Sequence, residues 1–231
     1  MNLSIREWRI GDKTALAQNL NNPKVLNNLR DGLPYPYTEK DAEVTMKEAL
    51  IIIDVQNDYF PGGSCELYRP LEAEKKIKEL IDDSRASGRK IIYIRHINPP
   101  DDYFFIEGTD GVKISDRIKP AEEDKIIIKH YPNSFLETDL NEYLKSIGVE
   151  ELIICGMMTH MCVDTTVRAA MDYGYSVKVV GDACATMDLA INGETVPADM
   201  VQKAFLAALD GSTEEKITFK VTEYDNRDLQ R

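Results

Sequence analysis

The sequence predicts an α/β protein in which helices cover both faces of a parallel sheet. Two observations support this fold. Short runs rich in β-branched residues alternate along the chain with longer segments whose apolar residues recur at helical spacing. The short runs are apolar at nearly every position, which is typical of strands buried on both faces of a parallel sheet. The predicted architecture is a three-layer α/β/α fold with six parallel strands, preceded by an N-terminal extension.

Six segments are predicted as strands, and four helices are predicted between them. The first five strands are strongly apolar, whereas the sixth alternates between apolar and polar residues, which favours the edge of the sheet. The strands are expected at 49–55, 90–97, 125–129, 152–155, 176–180 and 216–221. The helices are expected at 71–87, 138–147, 161–173 and 198–209. In sheets of this kind, ligands bind beyond the carboxyl ends of the strands.

Residues 1–45 differ in pattern from the rest and are predicted to be an extension of the main domain, which spans residues 46–231. One short strand at 3–10 and one helix, capped by Asp12 and ending near Leu20, are expected there. This is too little apolar surface for an independent domain. The apolar side chains need a cover, so we expect the extension to pack on the main domain or on a neighbouring subunit of a homo-oligomer. The alternative is that residues 1–45 are the remnant of a fusion to a unit that begins at Met46.

Charge and composition limit the classes of function. The formal net charge is −12, which argues against nucleic acid or a membrane surface as partner, because both need a local excess of Lys and Arg. We expect a cytoplasmic protein, since there is no secretory leader pattern and no apolar stretch of roughly 18 residues. The 4 cysteines lack the paired spacing of metal ligands and are expected to be thiols.

The stretch 151–174 carries the first candidate for catalysis. It contains an apolar run, a break at Gly156, a predicted N-cap at Thr159, and then Cys162 in a helix that Gly174 is expected to end. The first turn of a helix has unpaired N–H groups and a positive dipole. This position is therefore expected to lower the thiol pKa from about 8.5 and to offer donors to an oxyanion. The alternative is a buried structural cysteine.

Two further ionisable residues end predicted strands. Asp54 follows the apolar run 50–53, and Lys129 follows 126–128, so both are expected at the sheet rim that also carries Cys162. Burial alone would favour their neutral forms, but placed together they would hold each other charged. In such a group the thiol can act as the nucleophile, the carboxylate as its base and the ammonium as an electrostatic partner. The alternatives are that Asp54 caps the next loop and that Lys129 is a solvated strand end.

Four segments of the main domain resemble the isochorismatase-like cysteine hydrolases, a family that includes nicotinamidases, N-carbamoylsarcosine amidases and ureidoacrylate amidohydrolases. They occur in the family's order and are IIIDVQNDYFPGG (51–63), IIKHYPNSFLETDL (127–140), GMMTHMCVDTTVRAA (156–170) and VVGDACAT (179–186). The resemblance implies that Asp54 is the general base, Lys129 its cationic partner and Cys162 the nucleophile. It also implies a parallel sheet with helices on both faces.

The resemblance extends to finer features of the site. It implies an oxyanion hole formed by the backbone amides of Met158 and Cys162, and a cis peptide bond between Met157 and Met158. Five side chains are interpreted as lining the substrate pocket: Gln56, Tyr103, Phe104, Phe135 and His160. For His160, a hydrogen bond to the substrate and a capping or structural role remain open alternatives.

Departures from the family's patterns narrow the expected activity. Isochorismatases proper lack the nucleophilic cysteine, so Cys162 disfavours vinyl-ether hydrolysis. Nicotinamidases bind a metal through an Asp-x-His pair and a further His. The corresponding stretch 96–105 (HINPPDDYFF) has one His near two Asp residues, so we expect no metal and no cofactor. The predicted function is hydrolysis of a small amide, imide or ureide through a thioester. A non-catalytic scaffold or a vinyl-ether hydrolase is the alternative.

Two other patterns occur in the chain. Residues 5–43 resemble the opening of GNAT-type N-acetyltransferases, but the glycine-rich loop that holds acetyl-CoA in that family is absent from the sequence, so no acetyl transfer is expected. Residues 162–168 fit C-x5-R, the bare pattern of a tyrosine-phosphatase loop. That segment has no glycine, and Asp164 would repel phosphate. Arg168 is explained more simply by pairing with Asp164 at i,i+4.

Overall fold

The computed structural model of the protein describes residues 12–22, 36–41, 47–210 and 219–222. A first helix, α1 (Lys13–Leu20), precedes the main domain. The main domain contains, in order, β1 (Glu48–Ile53), α2 (Pro70–Ser87), β2 (Lys90–His96), β3 (Lys125–Lys129), α3 (Leu140–Ser146), β4 (Glu151–Met157), α4 (Asp164–Asp172), β5 (Ser176–Ala185), β6 (Leu189–Ile191), β7 (Glu194–Val196), α5 (Ala198–Leu209) and β8 (Phe219–Thr222).

The main sheet is parallel, and its strands lie in the order β3-β2-β1-β4-β5-β8. The predicted α/β fold with a parallel sheet is confirmed. Strands β4 and β5 are longer than predicted because their pairing resumes after a register shift and continues to Met157 and Ala185. The antiparallel hairpin β6–β7 was not predicted. The order of the strands reverses between β1 and β4, which is where ligands bind in such sheets.

Helices cover both faces of the sheet, as β1 shows. All of its residues are buried, because successive side chains point to opposite faces and each face has its own core. Leu50 packs in one core with Ile77 of α2. Ile51 packs in the other core with Leu144 of α3 and Val167 of α4. None of the helices in the described ranges is both long and apolar enough to cross a membrane.

The described part of the N-terminal segment contains the predicted helix. Asp12 occupies the N-cap position of α1, but its side chain makes no capping hydrogen bond. The helix is joined to a neighbouring part of the same segment, since the Asn21 amide donates to the carbonyl of Tyr37 and accepts from its N–H. The strand predicted at 3–10 and the domain boundary at Met46 lie outside the described residues.

Candidate active site

The carboxyl ends of β1 and β3 bring Asp54 and Lys129 together. Asp54 directly follows β1, and Lys129 is the last residue of β3. Both side chains are fully buried, and Lys129 Nζ lies 2.7 Å from Asp54 Oδ2. Asp54 is therefore not the cap of an exposed loop, and Lys129 is not a solvated strand end. The two residues form a buried ion pair, as the sequence predicted.

Cys162 reaches the same rim from the end of β4. The peptide bond between Met157 and Met158 is cis, as the resemblance implied, and a π-helical turn (Thr159–Val163) leads into α4. The Cys162 sulfur lies 3.2 Å from Lys129 Nζ, within reach of a hydrogen bond from the ammonium. Thr159 is not the predicted N-cap. It lies within the turn, and its hydroxyl is 2.7 Å from the side-chain oxygen of Gln202 and 3.1 Å from Ala185 O.

Gly156 allows the nucleophile loop to approach Asp54. Its φ of 123° is unfavourable for a residue with a side chain. A Cβ atom built there would overlap the backbone of Ile53, the residue that precedes Asp54. A glycine at this position therefore lets the end of β4 lie directly against the end of β1.

His96 is a member of the site that the sequence interpretation missed. It ends β2, which lies between β1 and β3 in the sheet. His96 Nδ1 is 2.9 Å from Lys129 Nζ, 3.7 Å from Asp54 Oδ2 and 4.0 Å from Cys162 Sγ. The signal that identified Asp54 and Lys129, an ionisable residue at the end of an apolar strand, also applies to His96.

The Lys129 ammonium lies at the centre of this cluster. One donor atom each from Asp54, His96 and Cys162 lies within 4.8 Å of the other two, a set that could in principle bind a metal ion. Lys129 Nζ contacts all three side chains, at 2.7 Å, 2.9 Å and 3.2 Å respectively. A metal ion among these ligands would have to displace a buried ammonium, so the donor set does not fit a resident metal.

The pKa shifts in this cluster follow from burial and from the ion pair. Burial raises the pKa of Asp54, but Lys129 and His96 outweigh it, so the pKa is lowered overall. Burial lowers the pKa of Lys129, but the charges and hydrogen bonds of Asp54 and Cys162 together outweigh it, so the pKa is raised overall. Burial and then Asp54 raise the pKa of the Cys162 thiol, and Lys129 offsets only part of this. The resting site therefore holds a carboxylate, an ammonium and a neutral thiol.

The raised pKa of the Cys162 thiol contradicts the expectation that the start of the helix lowers it. The sequence argument considered the helix dipole, but Cys162 is only 4% exposed and faces the Asp54 carboxylate. Desolvation and a neighbouring negative charge both disfavour the thiolate. Cys162 consequently needs a base that removes its proton during the reaction, and Asp54 is adjacent to it.

Gln56, predicted to line the pocket, is hydrogen-bonded to the backbone of His96. The Gln56 amide nitrogen donates to His96 O and to Val112 O, both at 2.8 Å. Its carbonyl oxygen accepts from His96 N at 2.7 Å. Both N–H donors of the fully buried amide are thus used by main-chain carbonyls, and the two hydrogen bonds with His96 fix the end of β2.

Tyr103 and Phe104 belong to a chain of aromatic rings that leads to the site. Their ring centroids are 4.8 Å apart, and Phe104 lies 4.8 Å from Phe105. Phe105 is 6.1 Å from the His96 ring and 4.6 Å from Tyr59. Tyr103 is largely exposed, and its hydroxyl lies 3.9 Å from Cys65 Sγ.

The last two predicted pocket residues have other neighbours. Phe135 is buried, and its ring packs 5.0 Å from Tyr173, within the core that contains α4. His160 Nδ1 lies 2.6 Å from the Thr186 hydroxyl, and its ring is 5.9 Å from Phe205. Burial lowers the pKa of His160. These contacts favour the structural alternative for His160.

Arg168 does not take part in a phosphate-binding loop. Its guanidinium makes two hydrogen bonds of 2.9 Å to the Asp164 carboxylate, which is the pairing expected from the sequence. The Arg168 side chain is half-exposed. The pairing agrees with the rejection of the C-x5-R pattern of residues 162–168 as a tyrosine-phosphatase loop.

A parallel sheet that brings a thiol, a carboxylate and an ammonium together at its rim defines a hydrolase of the cysteine type. The isochorismatase domain model matches residues 48–209 of the chain, and the chain belongs to the isochorismatase family. An uncharacterized family protein of Bacillus subtilis, YddQ, is 46% identical over 167 residues, which are 72% of this chain and 93% of that protein.

Two further similarities concern proteins with a named activity. Nicotinamidase 3 of Arabidopsis thaliana is 29% identical over 161 residues, which are 64% of this chain and 78% of that protein. The crystal structure of a cysteine hydrolase from Pseudomonas syringae pv. phaseolicola superposes with a TM-score of 0.73 at 25% identity, over 80% of this chain and 91% of that chain. The chain is accordingly a hydrolase of the isochorismatase family.

Proposed function

We propose that the protein is an amidohydrolase that hydrolyses a small amide, imide or ureide through a thioester on Cys162. The observation that carries the proposal is the position of Lys129 Nζ, which lies within 3.2 Å of both Asp54 Oδ2 and Cys162 Sγ in a buried site. A neutral thiol beside a carboxylate is ready for general-base activation. The similarity to a nicotinamidase supports an amide as the substrate class.

In the proposed mechanism, Asp54 takes the thiol proton as the Cys162 sulfur attacks the carbonyl carbon. The backbone amides of Met158 and Cys162 stabilise the tetrahedral oxyanion. The C–N bond then breaks, and the proton on Asp54 passes to the leaving ammonia or amine, which leaves a thioester. Asp54 next removes a proton from water, which attacks the thioester. The carboxylic acid leaves, and the thiol regains its proton.

The alternative functions are less consistent with the buried cluster. A scaffold would gain little from three ionisable groups buried together, because a buried ion pair is often no more stabilising than apolar residues. Hydrolysis of a vinyl ether does not need a nucleophilic thiol. The cysteine of the family's C–N hydrolases is present here as Cys162.

We also propose that residues 1–45 are an extension without acetyltransferase activity and that the domain of residues 46–231 carries the hydrolase. The match to the family begins at residue 48. The contacts that hold Asn21 to Tyr37 lie within the extension. We further propose that the protein acts on a small molecule, that it forms a homo-oligomer and that it is located in the cytoplasm.

Release of ammonia from a panel of small primary amides and ureides, with loss of the parent compound followed by chromatography for imides, tests the proposed function. The full-length protein should hydrolyse at least one compound of the panel, and the Cys162→Ala variant is the matched blank. A variant such as Arg168→Ala, which removes an exposed ion pair outside the cluster, controls for general effects of substitution. Equal release by the wild type and by Cys162→Ala would exclude the cysteine mechanism.

A further inference from the structure

The Lys129 ammonium has more acceptors than it can satisfy. A protonated lysine has three N–H donors, whereas four acceptor atoms lie around its nitrogen. They are Asp54 Oδ2 at 2.7 Å, His96 Nδ1 at 2.9 Å, the carbonyl oxygen of Tyr131 at 3.1 Å and Cys162 Sγ at 3.2 Å. The sulfur, a weak acceptor while it carries a proton, is the most distant of the four.

We infer that His96 is a positioning residue that holds one N–H donor of Lys129, so that a single donor is left to exchange between Asp54 and the Cys162 sulfur. In the resting site this donor points at the carboxylate. When the thiol proton moves to Asp54, the neutral acid accepts more weakly, and the donor can turn to the new thiolate. The inference rests on the proposed function, because the exchange accompanies the first proton transfer.

The surroundings of His96 suit this role. Two hydrogen bonds with the Gln56 side chain fix the N–H and the carbonyl of His96, and a third from the same side chain ties it to Val112 O. The ring packs at 6.1 Å from the buried Phe105. An ammonium can only donate, so the hydrogen bond between Lys129 and His96 requires Nδ1 to be the acceptor. The acceptor is thus held in place by the main chain and by an aromatic neighbour.

The Tyr131 carbonyl provides the second fixed acceptor. With His96 Nδ1 and Tyr131 O holding two of the donors, the Lys129 nitrogen stays in place while the third donor rotates. The distances from the nitrogen to the two exchanging partners differ by little, 2.7 Å to Asp54 and 3.2 Å to Cys162. Loss of the His96 acceptor would free a second donor, which would bind the sulfur permanently.

The reactivity of Cys162 towards iodoacetamide tests the inference without a substrate. The charged and titratable groups that face the thiol are Asp54, His96, Lys129 and Tyr59. In His96→Leu, the freed donor stabilises the thiolate. A fall of one pKa unit raises the thiolate fraction about tenfold, and lower nucleophilicity offsets part of this. We expect Cys162 to be labelled at least about threefold faster at roughly pH 8, measured by peptide mass spectrometry.

Turnover should change in the opposite direction. We expect kcat of His96→Leu to fall about tenfold, because a thiolate that is already stabilised attacks the carbonyl carbon more slowly. In addition, Lys129 then donates more to the sulfur and less to the Asp54 carboxylate. KM should stay within about twofold, since His96 is not proposed to bind the substrate. His96→Asn can present its oxygen near the position of Nδ1 and should restore both values towards wild type. His96→Gln, whose amide reaches the position of Nε2, should not.

His130→Asn is the matched control. His130 follows Lys129 directly, is exposed, and has Nδ1 2.9 Å from Ile97 O, so its substitution should leave labelling and turnover unchanged. The inference would be overturned if His96→Leu left the labelling rate unchanged, or if His96→Asn and His96→Gln had the same labelling rate and kcat. If His96→Leu does not fold, the comparison of Asn with Gln decides. Activity in Cys162→Ala would instead refute the proposed function, which separates the two failures.

Discussion

Replacement of Lys129 by Met should destabilise the protein strongly, because it leaves the buried Asp54 carboxylate without its partner. Neither side chain of this pair is exposed to solvent. Breaking a buried ion pair by removing one partner costs about 3–5 kcal/mol. For a domain of this size, that corresponds to a fall in Tm of roughly 6–20 °C. Urea denaturation, monitored by far-ultraviolet circular dichroism, measures the free energy of unfolding.

The chain offers a matched surface pair on the same strand. Lys125 begins β3 and lies 2.7 Å from Asp139, but the two side chains are 31% and 63% exposed. Lys125→Met should therefore cost only about 0–1 kcal/mol. The contrast between the two lysines isolates the effect of burial from that of removing a positive charge.

The pH dependence of Lys129→Met should have the opposite sign to that of the wild type. In the wild type the pKa of Asp54 is lowered, so the ion pair stabilises the fold above the unfolded pKa of about 3.9, and this is lost as the pH falls through the folded pKa. Without Lys129, burial raises the pKa of Asp54, and the variant should gain stability as the pH falls from about 7 to 5.

The double variant Asp54→Asn/Lys129→Met completes the cycle. Since no buried charge remains unpaired, it should be more stable than Lys129→Met alone and should not gain stability on acidification. A loss below about 1 kcal/mol in Lys129→Met, or a double variant no more stable than the single one, would refute the argument that the pair is buried and mutually charged.

The remaining predictions concern catalysis and domain organisation. Asp54→Asn should lower kcat by about 10²–10⁴-fold, the usual contribution of general acid–base catalysis, and a loss below about tenfold in a steady-state assay would remove Asp54 from the mechanism. Cys162→Ala and Cys162→Ser should abolish turnover but retain the wild-type circular dichroism spectrum, because a small side chain leaves no large cavity; a turnover rate near wild type would contradict this. A truncated variant of residues 46–231 should stay soluble and active with an altered size-exclusion elution, and aggregation would show that the extension is part of the fold.

The fold and three residues of the site could be predicted because they follow from local patterns. A run of β-branched residues that ends in Asp54 or Lys129 predicts both a buried strand and an ionisable group at its carboxyl end. Parallel pairing then brings such ends together. The position of Cys162 followed from a strand, a glycine and a helix in succession.

The features that were missed depend on contacts between distant segments. His96 was interpreted only as part of an incomplete metal motif, although it ends its strand as Lys129 does. The raised pKa of Cys162 depends on burial and on the distance to Asp54, which the helix-dipole argument did not include. One N–H of the Gln56 side-chain amide donates to Val112, 56 residues further along the chain. No sequence pattern indicates that contact.

Detection of an acyl group on Cys162 during turnover tests the central claim most directly. Acid quenching of the enzyme with a substrate found in the ammonia screen, followed by mass spectrometry, should show a peptide containing Cys162 that is heavier by the mass of the acyl group. The adduct should be absent from Cys162→Ala and should accumulate if water attack is slowed. Turnover at the wild-type rate by Cys162→Ala, or an adduct on a different residue, would contradict a thioester mechanism.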